Sequence, residues 1–486
     1  MGIERVNLRE ELERATGESD AARRSRKAPH ALRLLLLLAV SLLTTLALGG
    51  ALRSRAPVPI AAAFAVNLLL FSTMVAALRT FRPAIYEQLR ALGLMTALAA
   101  LLVLAAAGAA RLRPGAPELV PIAFVGIVVS ALFDRRVGLL TVVLLTVLVA
   151  AQPAYFAPSS LPVLLAAGAS AALAVRATSR RDQSYLWILV IAAVTAVAVV
   201  GTGLAAGAPR GFILAGVIRA GAISAVSVIA AMLLMPVAEA LTGRQTHLTL
   251  LEWGDLHHPL LQRLSLEAPG TYAHTIAIAN LAEAASRAIG ANALLARVGA
   301  YYHDIGKLVK PQYFVENQPR GRNPHDKLKP GTSASIIRNH VREGLELADQ
   351  VRLPATIRAF ITEHHGTNTI AYFMERARER EGAPTNPSEF SYPGPVPQSA
   401  ETAIVMLADG AEAAVRAIVE PTPERVRDVV DRIVKQRLDE GQLRDAPLTL
   451  RQLTLVKREF VRVLGGMYHA RVEYPSQTTP TEPARI

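Results

Sequence analysis

Between residues 31 and 236 the sequence returns repeatedly to long apolar stretches, and no other feature restricts the possible folds as tightly. Ala31 to Gly50 alone supplies the ~20 residues that a helix needs to cross a bilayer. Further stretches follow at about 58–79, 88–110, 117–133, 136–152, 159–176, 185–207 and 211–236, so eight crossings are expected. Within lipid every backbone polar group must be satisfied internally, and segments of this length do so as helices. The chain as a whole, 486 residues and 51% hydrophobic, is too apolar for an ordinary soluble enzyme.

The first thirty residues are polar and end in the basic cluster Arg23, Arg24, Arg26 and Lys27. A basic start before an apolar core is common to signal peptides and retained anchors. The long charged prelude, and Arg53-Ser54-Arg55 where a small-residue cleavage site would stand, favour an anchor. An even number of crossings puts both chain ends on one side. With the tail inside, the inside loops carry Arg79, Arg82 and Arg90, then Arg135 and Arg136, then Arg176, Arg180 and Arg181. The outside loops carry Arg53, Arg55, Arg111, Arg113 and Arg210. The excess of inside arginines places everything after the last crossing in the cytoplasm. Membrane-flanking arginines and amphipathic helices account for much of the formal net charge of +13, and no groove-reading motif accompanies it, so a nucleic-acid polymer is not an expected partner. Arg219, inside the last stretch, is either a functional group or one that snorkels or pairs within the bundle.

After Pro236 the composition changes, and charged residues become frequent. The expected organisation is a tail at 1–30, a membrane region at 31–241, a linker helix at 242–262, an all-helical domain at 263–470 and a loose tail at 471–486. In the second half, Gly290 closes a helix from about Tyr272 to Ile289, Ser333 is placed to cap one that carries His340, and Pro354 opens one that runs to His364-His365. No strand-turn-strand pattern stands out, and the fold class is all-α: a transmembrane helix bundle followed by a helical domain.

There is no cysteine, so a metal site must be built from His and carboxylates. His303 and Asp304 are adjacent where an apolar helix ends, in the run Tyr301-Tyr302-His303-Asp304-Ile305-Gly306-Lys307. His274, His340, His364, His365 and Asp409 each sit in otherwise apolar helical stretches. Taken singly, His274 is a packed or capping histidine, and Asp409 needs a buried partner that could be a metal, an arginine or a cap donor. As a set, ligands separated by helix-length intervals suit a bundle whose facing helices hold two divalent ions, an arrangement fitted to phosphoryl chemistry. His257-His258 and His325-Asp326 lie in turn-forming contexts and read as structural or loop hydrogen-bonding groups.

From about Leu250 to Tyr474 the sequence resembles the HD-domain phosphohydrolases, and among them the membrane-bound seven-transmembrane HD proteins of the PgpH type. The similar runs are Ala268-Pro269-Gly270-Thr271-Tyr272-Ala273-His274, His303-Asp304-Ile305-Gly306-Lys307, Glu316-Asn317-Gln318, Asn323-Pro324-His325-Asp326, His364-His365-Gly366-Thr367, Tyr392-Pro393-Gly394-Pro395 and Ala408-Asp409. The resemblance implies hydrolysis of cyclic di-AMP to linear pApA by a hydroxide generated at two divalent metals, Mn or Fe. It implies that His274, His303, Asp304 and Asp409 hold one ion, Asp304 bridging, that His340, His364 and His365 serve the second, and that Lys307 contacts phosphate or the leaving oxygen. The implied partners are the cyclic dinucleotide and the bilayer, with a homodimer left open. Family members carry a large extracytoplasmic domain between the first two spans, whereas only Ala51 to Pro57 separates them here. Two rivals stand beside this reading: the same chemistry on cyclic di-GMP, and a non-catalytic membrane receptor that only binds nucleotide. The Gly-Tyr-Pro signature expected of the former is replaced by Gly366-Thr367-Asn368-Thr369.

Overall fold

A computed structural model describes residues 30–48, 57–175, 183–319, 323–381, 386–418 and 420–468. The N-terminal basic cluster, Arg53, Arg55, Arg176, Arg180, Arg181 and the C-terminal tail lie outside the described residues. The chain divides into two compact units, one within residues 17–252 and the other from Trp253 onward. Both are helical, and the only pairing of strand type among the described residues is an isolated bridge between Thr369 and Ser391.

The first unit carries eight apolar helices, α1 (His30–Leu48), α2 (Pro57–Phe81), α3 (Leu89–Leu112), α4 (Ile122–Leu132), α5 (Arg135–Ala150), α6 (Ser160–Ala174), α7 (Gln183–Ala205) and α8 (Arg210–Thr242). They coincide with the eight apolar stretches of the sequence, but only α1, α2, α3, α7 and α8 are long and apolar enough to span a membrane. Five helices thus qualify as spans by length and composition among the described residues, and α4 and α6 are shorter apolar helices of the same unit. The apolar stretch at 117–133 includes the 3-10 turn Pro117–Leu119, which precedes α4. With 11 residues, α4 is about 16 Å long, half the thickness of a hydrocarbon core, and nearly all of it is buried among its neighbours. The long helices instead expose rows of large apolar side chains, Leu34, Leu35 and Leu46 on α1, Leu189, Val197 and Leu204 on α7 and Leu214, Ile218 and Leu233 on α8. Apolar surface of that extent is stable only against lipid, and the chain is a multi-span membrane protein.

Several buried polar groups inside this unit pair with one another. Arg219 on α8 donates through Nε and Nη2 to Glu118 Oε1, at 2.9 and 2.7 Å, so the pairing alternative holds for this residue. Asn67 donates to Thr45 and accepts from Gln152, which ties α1, α2 and the end of α5 together. Asp134 caps α5 by accepting from the backbone N–H groups of Arg136 and Val137, and it also receives Arg82 at 2.8 Å. Gly243, at φ 67, ends α8 in the left-handed conformation that suits glycine.

α9 (His247–Trp253) closes the first unit, and in the second α10 (Pro259–Glu267) leads into the helices that carry the His/Asp set. These are α11 (Pro269–Ile289), α12 (Ala293–Tyr302), α13 (Pro330–Gln350), α14 (Ala355–Glu363), α15 (Ala371–Glu381), α16 (Ala400–Arg416), α17 (Pro423–Asp439) and α18 (Leu450–Met467). Local signals set most ends: Pro at the first turn of α11, Asn292 capping α12, and reciprocal capping boxes Ser399/Thr402 and Thr449/Gln452 on α16 and α18. Ser333, expected as a cap, lies inside α13, because Pro330 already opens that helix one turn earlier. Between α12 and α13 the described residues form short 3-10 turns, among them Ile305–Val309, Val315–Asn317 and Pro324–Lys327. Ile278, Leu281, Ile305, Ile357, Ile361, Leu407 and Phe460 form a dry interior around which α11, α12, α14, α16 and α18 close.

Candidate metal centre

The site is organised by the end of α12. His303 is its C-cap, Asp304 leaves the helix, and Ile305 drops fully into the core while Gly306 runs against α13. A Cβ on Gly306 would lie 1.8 Å from the His340 carbonyl oxygen and 2.5 Å from the Gly344 nitrogen, so only glycine lets the two backbones meet. That approach is what carries His340 to Asp304. A similar crowding acts at Gly270, whose Cβ would lie 1.9 Å from the Glu316 carbonyl oxygen. It seats the start of α11 on the turn that carries Glu316 and Asn317, where Thr271 N–H donates to Asn317 and the Thr271 hydroxyl donates to Glu316.

All eight residues picked from the sequence converge here. Asp304 lies at the centre with its two oxygens turned to different neighbours. Oδ2 faces His303 Nε2 at 3.2 Å, His274 Nε2 at 3.8 Å and Lys307 Nζ at 2.8 Å. Oδ1 faces His340 Nε2 at 3.4 Å and His364 Nε2 at 3.6 Å. Asp409 Oδ1 is 3.1 Å from His274 Nε2, and its Oδ2 is 3.7 Å from His365 Nδ1. Two groups with metal-ligand spacing result, His274, His303 and Asp304 on one side and Asp304, His340, His364 and His365 on the other, sharing Asp304.

The imidazoles are held in one tautomer. His303 Nδ1 donates to the Ala300 carbonyl at 2.6 Å, His340 Nδ1 to that of Ile337 at 2.6 Å, and His364 Nδ1 to that of Phe360 at 2.8 Å. A carbonyl oxygen can only accept, so each Nδ1 bears its proton and each Nε2 presents a lone pair to the centre. His365 is positioned differently, by stacking on the Tyr392 ring at 4.2 Å between centroids.

Burial would keep Asp304 neutral, yet Lys307 and His303 hold its carboxyl well below the usual range. Asp409 is depressed likewise, against burial, by the hydrogen bond from His274. Burial also opposes charge on His274, but Asp409 and Glu412 prevail and push its pKa up to about 9. His340 is pushed down to about 4 by burial, only partly opposed by Asp304, and so stays neutral. Lys307 remains a cation despite its burial, because Asp304 and Glu316 both lie 2.8 Å away. It is neither a solvated lysine nor one in open space.

The donor set tests whether cations fit. His303 Nε2 and Asp304 Oδ1 are buried with no hydrogen-bond partner, and an inward lone pair beside an ionised carboxylate oxygen has no complement among the surrounding side chains. Lys307 and His274 bring positive charge to Asp304 Oδ2 and Asp409, while Asp304 Oδ1 and His303 Nε2 stay without a hydrogen-bond partner. The buried His/Asp cluster therefore suits metal ions of the kind that accept nitrogen and oxygen ligands.

The histidines read from the sequence as structural stay outside the cluster. His257 is exposed beside Asp255, His258 accepts from Leu260 N–H at the start of α10, and buried His325 hydrogen-bonds the Tyr313 carbonyl at 2.9 Å. Glu316 and Tyr392 stood in runs quoted from the sequence without a role, and here they hold Lys307 and stack on His365, whereas Glu412, which receives His274 Nδ1 at 2.7 Å, escaped the sequence reading. For Glu412 a signal existed, since Asp409 and Glu412 are three apart and share one face of α16.

Comparison with known proteins follows this division of the chain. Residues 57–246 match the family described as "7TM receptor with intracellular HD hydrolase", and residues 271–414 match the HD domain family. The first match begins at α2, so α1 lies ahead of it. The cyclic-di-AMP phosphodiesterase PgpH of Bacillus subtilis is 44% identical over 245 residues, covering 50% of this chain and 34% of that protein. Its namesake from Listeria monocytogenes is 41% identical over 245 residues, 50% of this chain and 33% of that one. The present chain thus aligns with only about a third of the length of these curated relatives. Among solved structures, the HD domain of L. monocytogenes PgpH in complex with cyclic di-AMP is 41% identical and covers 45% of this chain and 100% of its own, with a TM-score of 0.42.

Proposed function

The chain belongs to the family of 7TM receptors with an intracellular HD hydrolase, and from that premise we propose that it is a membrane-anchored, metal-dependent phosphodiesterase that opens cyclic di-AMP to linear pApA. The observation that carries the reading is Asp304, a buried carboxylate whose two oxygens each face a separate set of inward Nε2 atoms. The relatives named as cyclic-di-AMP phosphodiesterases support the choice of nucleotide. In this reading residues 31–241 form the membrane region, 242–262 a linker and 263–470 the hydrolase, with the N-terminus and the hydrolase both in the cytoplasm.

His274, His303, Asp304 and Asp409 would hold one divalent cation and His340, His364 and His365 a second, with Asp304 common to both. Nitrogen-rich ligation without thiolate suits Mn or Fe. Cations bound there supply Lewis-acid activation of water and of the phosphoryl oxygens. The chain's own contribution is placement: backbone carbonyls fix three imidazoles, Tyr392 fixes a fourth, and burial keeps competing water away. Lys307 adds a permanent positive charge at the edge of Asp304, aimed by Glu316, where a phosphate oxygen or a departing alkoxide gains from it.

The test is turnover by the full chain purified in detergent with Mn, offered cyclic di-AMP, cyclic di-GMP and linear pApA separately. Conversion of cyclic di-AMP to pApA, outpacing the other two substrates, is the expected result. Preference for cyclic di-GMP would replace the substrate, and tight binding without turnover would leave a receptor in place of an enzyme.

A further inference from the structure

The braces behind the imidazoles are not alike. His303, His340 and His364 each donate Nδ1–H to a carbonyl three or four residues back in the chain. Their orientation is settled locally, within the turn that bears them. His274 instead donates to a carboxylate, Glu412 Oε2, which stands 138 positions away on α16. Glu412 is 2% exposed, and burying a carboxylate is unfavourable unless hydrogen bonds replace its water. Its other oxygen, Oε1, accepts from the Tyr468 hydroxyl at 2.6 Å, at the end of α18. Arg416 lies farther out, 3.4 Å from Oε2, and is the lesser partner.

We propose that Glu412 is a positioning residue for the metal centre: it fixes His274 as the Nδ1–H tautomer, strengthens its Nε2 as a ligand, and is itself aimed by Tyr468. This rests on the reading of the cluster as a metal centre. A charged acceptor makes a stronger hydrogen bond than a carbonyl and leaves more electron density on the opposite ring nitrogen. Carboxylates placed behind metal-binding histidines typically change metal affinity ~10–100-fold when removed. The arrangement also makes His274 dependent on two distant helices, so that α18, which contributes no proposed ligand, is needed to hold the metal.

The experiment uses the full chain in detergent and Mn alone, with affinity measured by equilibrium dialysis and calorimetry. Glu412→Gln keeps the shape of the side chain and removes its charge. It is expected to leave the melting profile of the metal-free protein unchanged, to weaken one class of Mn site by ~10–100-fold and to spare the other. In turnover, the Mn concentration needed for activity should rise while the KM for cyclic di-AMP stays. Tyr468→Phe should weaken the same class of site by a smaller factor. Wild-type Mn affinity at both sites in a folded Glu412→Gln overturns the proposal. If that variant does not fold, Tyr468→Phe decides, with reduced affinity supporting the proposal and unchanged affinity overturning it. A wild-type chain that binds no Mn would overturn both this proposal and the metal reading beneath it, whereas a difference confined to the variants bears on Glu412 alone.

Discussion

The two units differ in how certain buried carboxylates and amides are matched. In the membrane unit, Glu118 is met by Arg219, Glu239 by Thr246 and Thr249, and Asn67 by Thr45 and Gln152. Each carboxylate or amide there finds its complement in the protein, as a low-dielectric setting demands. In the second unit, five imidazoles and two carboxylates crowd one point, and His303 Nε2 and Asp304 Oδ1 are left unmatched. The first pattern completes itself and holds helices together; the second is incomplete without a cation. Burial of these carboxylates therefore goes with structure in the first unit and with chemistry at the Asp304 cluster in the second.

The sharpest way to break this contrast is Asp304→Asn. Removing the shared carboxylate should abolish hydrolysis and bring the Mn content below one ion per chain, while helix content by circular dichroism stays near wild type. Retained turnover would mean that the cluster is only a packed polar core. Next in size, Arg219→Leu should behave as a broken structural pair. It leaves Glu118 buried and alone, which costs ~3–5 kcal/mol in comparable cases, and adding Glu118→Leu should return part of the loss. Unfolding in sodium dodecyl sulfate measures both. An Arg219→Leu chain of normal stability would point to a functional rather than structural arginine. Chelation should separate the units further: with Mn at 100 times its dissociation constant, the second unit stands to lose ~2.7 kcal/mol when the ion is removed. The membrane helices should unfold at an unchanged detergent concentration. Smallest, Asn67→Leu should destabilise the membrane unit by ~1 kcal/mol, the net worth of a hydrogen bond, without altering Mn affinity.

The two units also differ in what their sequences disclose. His303-Asp304-Ile305-Gly306 is legible because its four roles are local: a proposed ligand, a proposed shared carboxylate, a core anchor and a gap for α13. The other ligands stand out as polar residues in apolar helices. What stayed hidden depends on distance along the chain. Glu412 meets His274 across 138 positions, and Arg219 meets Glu118 across 101, so neither pairing leaves a mark in any short window. The apolar helices of the membrane unit were visible one by one, while their ends were not, because the turn Pro117–Leu119 continues the apolar run into α4. Their lengths emerged only with the turns that end them.

The central claim is that Asp304 joins two ions in one centre. The most direct measurement is the Mn content of the full chain together with its electron paramagnetic resonance spectrum. Two Mn per chain with the signal of an exchange-coupled pair, replaced in Asp304→Asn by at most one uncoupled ion, is the predicted result. A single isolated Mn in the wild type, or two that show no coupling, would contradict it.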